Sequence, residues 1–353
     1  MQSINLPRRE EAMFDFVVSL KGAVGQHVYG KMAQQYREKA SEYQAEHGKT
    51  PTTPEEIGEL FKDDLNYNFN RCTARKSQEM MWNSVIEAYQ PYEAELVNEL
   101  NRPRENPEGS ISLNPSLKLP EYLAKNEFHI QPGGYYGKGD MSAIHFDAGG
   151  SLYFRKTTAD FRVQKALAAA VPAGNYKRIL DLGCSDGGSA IALKMQFPDA
   201  EVYAIDASGP QLKGAFKNTE DRGLAIHFSQ QNVEQTDFPD GYFDLISSYI
   251  LFHELPREAV RKTLREGLRL LRPGGLFICG DVTPFRENEP FRSFISSWEV
   301  KNNGEAFWRE ILEDTHLPTE YQNAGYANVR EFGVAASKLS PKFPWATLGY
   351  KPE

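Results

Sequence analysis

The chain has 353 residues, 40% hydrophobic and 25% charged, with a formal net charge of -8. That length accommodates two domains and a sizeable core, and the acidic balance disfavours a nucleic-acid partner, which would call for a basic face. Cys72, Cys184 and Cys279 form neither a CxxC pair nor a zinc spacing, and no run approaches the ~20 apolar residues of a membrane span, so a cytoplasmic protein without a metal centre or membrane contact is expected.

Arg8-Arg9 ahead of the apolar stretch Met13–Leu20 superficially resembles an export signal, but Glu10, Glu11 and Asp15 interrupt it and no small-residue cleavage site follows. Leu20, Val24, Val28, Met32 and Tyr36 recur every four residues, one stripe of a helix. Thr53-Pro54-Glu55-Glu56 carries a helix start: Thr53 as N-cap, Pro54 at the first helical position, Glu56 as the reciprocal capping acid. Ile57, Leu60, Phe61 and Leu65 give that helix its inward face. A further helical stretch spans residues 74–100, with Met81, Val85, Tyr92, Leu96 and Leu100 inward and a break at Pro91. Residues 1–101 are therefore expected to form an all-helical domain, a lid or a dimerisation arm that makes a homodimer.

Residues 102–150 change character. Pro103, Pro107, Gly109, Pro115 and Pro120 mark a linker, and Phe128-His-Ile-Gln-Pro-Gly-Gly-Tyr-Tyr-Gly137 is a turn-rich loop that gathers His129, Tyr135 and Tyr136. Polar aromatic groups on such a loop suit contact with a substrate, so His129 and Tyr136 are candidate catalytic residues and Tyr135 a candidate substrate contact. Structured packing of the same tyrosines is the alternative.

Residues 151–353 form the third segment. Tyr153–Leu167 reads as a helix whose first residue, Tyr153, is a further substrate candidate. Then Arg178-Ile-Leu-Asp-Leu-Gly-Cys-Ser-Asp-Gly187 gives a short apolar strand with Asp181, a turn at Gly183 and Gly187, and a helix capped by Ser185 or Asp186. A strand, glycine turn and helix N-terminus present bare backbone to a cofactor. The next strand, 201–206, ends in Asp206, 25 residues after Asp181, where an acid is placed to take two ribose hydroxyls. Strands are also expected over 224–228, 243–249, 326–335 and 344–350, a turn and then a strand within 272–281, and helices over 210–217 and 258–271.

Taken together these runs resemble a class I S-adenosylmethionine-dependent methyltransferase. The resemblance rests on Asp181-Leu-Gly-Cys-Ser-Asp-Gly187, Asp206, Asn232-Val233-Glu234, the strand Phe243-Asp-Leu-Ile-Ser-Ser248 and the turn Leu271-Arg-Pro-Gly-Gly275, in order over roughly 200 residues. A glycine turn alone would leave nicotinamide dinucleotides as competitors; the later runs favour methyl transfer. The resemblance implies a seven-stranded, mostly parallel Rossmann-like sheet, preceded here by the helical domain, and S-adenosylmethionine as cofactor. It implies that Gly183 and Gly187, with Cys184, Ser185 and Ser248, flank the methionine part. Asp181 would lie near the ammonium, Asp206 and Ala207 at the ribose, Asn232 at the adenine amino group, and the Val233 N–H at the ring. Ser185 departs from the family's usual glycine.

His253, after the fourth strand, is a candidate general base, and Asp281, at the end of the fifth, either caps structure or meets substrate. The segment after Asp281 carries Phe291, Phe294, Ile295 and Trp298 at helical spacing, a cover over the pocket, with Trp298 a candidate substrate contact. The Ser247-Ser248-Tyr249 run lacks the Asn/Asp-Pro-Pro-aromatic motif of base- or glutamine-methylating relatives. The expected reaction is methylation of a small organic molecule, on oxygen first, with carbon, nitrogen or sulfur as alternatives. A cofactor-binding partner subunit without activity is the reading from a different class.

Overall fold

The computed structural model describes residues 4–103, 108–137, 139–153, 161–336 and 342–353. The N-terminal sequence folds as α1 (Arg8–Ala23), α2 (Tyr29–His47), α3 (Pro54–Phe61), α4 (Leu65–Tyr89) and α5 (Glu93–Asn101), with Val24–Val28 between α1 and α2 in a π-helical turn. The four-residue stripe thus crosses a helix junction, yet still buries Val24 and Met32. At α3 the Thr53 side chain accepts from the Glu56 N–H at 3.2 Å, while the Glu56 carboxylate accepts from the Thr53 N–H at 3.3 Å, the capping box expected of this sequence. Pro91 lies in a 3-10 turn between α4 and α5. Leu65 is the exception: it opens α4 rather than closing α3 and is 82% exposed.

The apolar faces of these helices are covered from within the chain. Phe14 and Val17 of α1 pack on Met81, Trp82 and Val85 of α4. Met32, Ile57 and Phe61 meet Phe291, Phe294 and Ile295 from α12 (Pro290–Ser297), with the Phe61 and Phe291 rings 5.4 Å apart. Each fully buried ring contributes on the order of 2 kcal/mol of transfer free energy, so the N-terminal helices are fastened to the insertion that follows Asp281. Residues 102–150 are not merely a linker. They include α6 (Glu121–Lys125) and most of α7 (Met141–Tyr153), whose Met141 and Ile144 are buried against Leu96 and Leu100. The expected helix over 153–167 is met in part: residues 154–160 lie outside the described residues, and α8 begins at Arg162 (Arg162–Ala170).

The strands are β1 (Ser110–Ser112), β2 (Arg178–Leu182), β3 (Glu201–Asp206), β4 (His227–Gln230), β5 (Phe243–Tyr249), β6 (Leu271–Asp281), β7 (Ala327–Gly333) and β8 (Trp345–Tyr350). They form one sheet in the order β1-β4-β3-β2-β5-β6-β8-β7, parallel except for the two ladders of β8. The sheet has eight strands where seven were expected. The extra one, β1, comes from the presumed linker and pairs parallel with β4, Ser110 opposite His227. β4 itself starts three residues later than the apolar run 224–228 suggested.

Side-chain alternation explains the two cores. Ile179, Leu245, Ile278 and Leu348 face α8, α9 (Gly188–Gln196) and α10 (Gly209–Glu220). Leu180, Leu182, Ile246 and Phe277 face α11 (Arg257–Leu270) and Tyr321. The chain runs outward in both directions from β2, to β3 on one side and β5 on the other. The carboxyl ends of β2 and β5 are therefore the switch point at which such sheets bind ligands. No helix among the described residues is long and apolar enough to cross a membrane.

Candidate functional site

Three loops meet at that switch point. The first follows β2. Asp181 is fully buried; its Oδ2 accepts from the Ser189 hydroxyl, and its Oδ1 has no hydrogen-bond partner. Burial, reinforced by Asp206, pushes the Asp181 carboxyl up to about 7. Gly183 and Gly187 take φ of 68° and 85°, the left-handed region glycine enters freely. Gly187, not Ser185 or Asp186, is the N-cap of α9. The reason is local: the Ser185 N–H donates to Asp206 Oδ2 at 2.9 Å, with Ser185 at φ 47°, and the helix starts one or two residues later. The Asp186 carboxylate still accepts from the Gly188 N–H at 3.2 Å. Cys184 is buried and its N–H donates to Ile205 O at 2.9 Å.

The second loop follows β3. Asp206 receives the Ser208 N–H on Oδ1 at 2.8 Å, so each carboxylate oxygen holds one backbone donor and keeps capacity for another. The Ala207 carbonyl accepts from Gln230 Nε2 at 2.9 Å. Past β4, Asn232 Oδ1 accepts from the Glu234 N–H at 3.0 Å, forming a tight turn over the buried Val233. Ser248 is fully buried near the end of β5.

The third loop follows β5. Ile250 takes φ 54°, unusual for a β-branched residue. His253 is 1% exposed, and its Nδ1 lies 2.6 Å from Asp281 Oδ1. Asp281 Oδ2 accepts the N–H of Phe252 at 2.8 Å and of His253 at 3.3 Å, and Oδ1 that of Val282 at 2.6 Å. Asp281 thus fixes both the ring and the backbone of His253. Burial alone would lower the His253 pKa, but the adjacent Asp281 outweighs it and raises it to about 9.

The loop at 128–137 closes over these three. Its Tyr135 carbonyl accepts from the Ser208 hydroxyl at 2.9 Å, and its Tyr135 hydroxyl donates to Glu254 Oε1 at 3.2 Å. His129 sits between two carboxylates, Nε2 at 3.0 Å from Glu254 and Nδ1 at 2.6 Å from Glu305. Burial works against the charged ring, yet Glu305 and Glu254 together hold its pKa well above the usual histidine range. Gln78 Nε2 and Trp82 Nε1 both donate to the His129 carbonyl, at 3.1 and 2.7 Å, and His129 and Ile130 are held at φ 55° and 53°. Consecutive left-handed residues without glycine cost on the order of 1–3 kcal/mol each and persist where the surroundings over-determine them. Tyr136 lies against Tyr135, ring centroids 6.2 Å apart, and burial followed by the charges of Asp206 and Glu254 raises its hydroxyl pKa.

His129, His253, Tyr135 and Tyr136 therefore come together beside Asp206. Trp298 does not join them; it stacks under the Arg71 guanidinium, 4.6 Å from its ring, among the N-terminal helices. The indole at the site is Trp308, edge-on to His253 at 5.2 Å. Tyr153 ends α7, and its side chain lies outside the described residues. Sequence reasoning missed Glu254 and Glu305. Adjacency to His253 was the only signal for Glu254, and the turn Asn303-Gly304-Glu305 carried none. Phe128, Tyr122 and Phe307 wall the site, with Phe128 and Tyr135 stacked at 5.8 Å and Tyr122 and Phe307 edge-on at 5.9 Å.

These residues fit the sulfonium cofactor. An orphaned buried carboxylate oxygen on Asp181 awaits a cation or donor, Asp206 has two free acceptor positions, and the glycine turn bares its backbone. Residues 179–275 match the family model of a methyltransferase domain. A demethylmenaquinone methyltransferase of Thermus thermophilus is 33% identical over 136 residues, 38% of this chain and 57% of that protein. One of Geobacillus kaustophilus is 29% identical over 187 residues, 47% of this chain and 79% of that protein. A fatty-acid O-methyltransferase of Mycolicibacterium smegmatis is 32% identical over 123 residues, 35% of this chain and 41% of that protein. The similarity thus spans little more than half the length of the first of these relatives.

Proposed function

We propose that this chain, whose residues 179–275 match the family model of a methyltransferase domain, uses S-adenosylmethionine to transfer a methyl group to a hydroxyl oxygen of a small apolar molecule held beneath its N-terminal helices. When bound, the cofactor supplies an electrophilic methyl on a sulfonium sulfur; the protein's task is to align the nucleophile and take its proton. Asp206 would receive the ribose hydroxyls and Asp181 the amino group. Asn232 and the Val233 N–H would meet the adenine, and Gly183, Cys184, Ser185, Gly187, Ala207 and Ser248 would shape the cleft.

The observation that carries the acceptor reading is Glu254. It is 8% exposed, its Oε1 is shared by His129 and Tyr135, and its Oε2 has no hydrogen-bond partner. A buried carboxylate oxygen without a donor is costly, and an acceptor's O–H supplies one. The same contact sets that oxygen beside His253, His129 and Tyr136, with the Glu254 carboxylate positioned to take its proton. The aromatic walls favour an apolar acceptor. Two of the relatives are named for demethylmenaquinone and one for fatty acids, which agrees with that class. The N-terminal helices act here as a lid: Gln78 and Trp82 of α4 pin the loop that carries His129.

The test is incubation of the full chain with methyl-labelled cofactor and a panel of fatty acids, quinols, phenols and amines, read by mass spectrometry. The expected result is S-adenosylhomocysteine together with an O-methylated product. Label on carbon or nitrogen overturns the oxygen assignment, and no product from any class overturns the reading.

A further inference from the structure

Arg71 of α4 is 8% exposed, yet among the described residues it meets only neutral oxygens at hydrogen-bond distance. Nη1 donates to the Ile295 carbonyl at 3.3 Å and Nη2 to Asn70 Oδ1, while Nε has no hydrogen-bond partner. The carboxylate beside it, Glu299, holds its Oε1 3.9 Å from Nη1, too far for a hydrogen bond. Glu299 accepts instead from Asn303 Nδ2, and burial raises its pKa against the pull of Arg71 and Lys21. A buried guanidinium without an anion on its N–H groups is costly. Its planar fork matches a carboxylate through two parallel N–H bonds, and the free Nε is one arm of that fork. The Glu299 side chain is 25% exposed and Trp298, stacked on the guanidinium, is half-buried, so Arg71 lies just behind surface that a ligand can reach.

Two links tie Arg71 to the candidate site. The helix that carries Glu299, α13 (Glu299–Asn302), leads through Gly304 to Glu305, the carboxylate on His129. From α1, Lys21 donates to Gln78 Oε1 at 2.5 Å and Gln78 Nε2 to the His129 carbonyl at 3.1 Å. Burial lowers the Lys21 pKa to about 8, with Glu299 opposing the fall. Arg71 and Lys21 thus flank Glu299 on the lid side of His129.

We propose that Arg71 binds a carboxylate of the methyl acceptor, so that the acceptor is an acid with its hydroxyl at Glu254, an apolar body, and its carboxylate on the Nε edge of Arg71. A single carboxylate suits a site that already holds Glu299 at 3.9 Å, because a phosphate dianion would double the repulsion. The inference rests on the methyl-transfer reading for the hydroxyl end only; the acid end binds without catalysis.

The test compares 4-hydroxyphenylalkanoic acids of graded chain length with their primary amides, which keep the shape and lose the charge. Product is read by mass spectrometry as kcat/KM, and binding by calorimetry on the full chain with S-adenosylhomocysteine present. At the best chain length the acid should exceed the amide about tenfold or more in both readouts. Arg71→Met should bring acid and amide within about threefold of each other, and Arg71→Lys should keep part of the preference. Unchanged S-adenosylhomocysteine affinity shows that each variant folds; if Arg71→Met does not, the wild-type ratio and Arg71→Lys decide. Equal acid and amide in the wild type, no binding of any acid, or a preference that persists in Arg71→Met overturns the proposal and leaves methyl transfer standing. Arg71-dependent binding of an acid without any methylated product keeps the carboxylate site and removes the methyl-transfer reading.

Discussion

Asp206→Ala is expected to lower the affinity for S-adenosylhomocysteine about a hundredfold or more, measured by calorimetric titration. In the reading proposed here the carboxylate accepts two ribose hydroxyls, and each hydrogen bond to a charged acceptor is worth about 1.5–3 kcal/mol. The structure adds a second consequence. Asp206 also receives the N–H groups of Ser185 and Ser208, at 2.9 and 2.8 Å, so alanine leaves two backbone donors unpaired at the tip of β3. Asp206→Asn retains one acceptor oxygen and should fall between wild type and alanine in both affinity and melting temperature. Wild-type affinity in Asp206→Ala would remove the ribose assignment.

Glu254→Gln is expected to lower kcat about a hundredfold or more while leaving S-adenosylhomocysteine affinity unchanged. General acid–base groups contribute roughly 10²–10⁴ in rate, and the substitution keeps the shape of the side chain while removing its charge. It disturbs His129, His253 and Tyr135 together, since all three converge on Oε1. The split between an altered kcat and an unaltered cofactor affinity separates a role in chemistry from a collapse of the cleft. A loss of affinity equal to the loss of rate would instead mark Glu254 as structural.

The cofactor half was legible in the sequence because its signals are local. Strand β3 and strand β5 span the residues expected, and Asp181 and Asp206 stand at the carboxyl ends of β2 and β3, where sheet physics puts ligand-binding groups. Thr53 and Glu56 likewise fixed a helix start within four residues. The acceptor side was not legible in the same way. His129, Glu254 and Glu305 are separated by more than a hundred and by fifty residues of chain, and contacts across the fold, among them Phe128 on Phe307 and the Tyr135 hydroxyl on Glu254, bring their elements together. No spacing rule encodes such a meeting. Trp298 and Trp308 show the same limit: both follow helical spacing, and only the turn between them decides which indole faces His253.

The central claim is that the carboxylate-held histidines stand where the methyl group is delivered. It is tested most directly by a crystal structure of the full chain with S-adenosylhomocysteine. The account predicts the ribose on Asp206 and the sulfur facing His253, Glu254 and the Tyr135–Tyr136 loop. A sulfur with none of His129, His253 or Glu254 within one side chain's reach would contradict it.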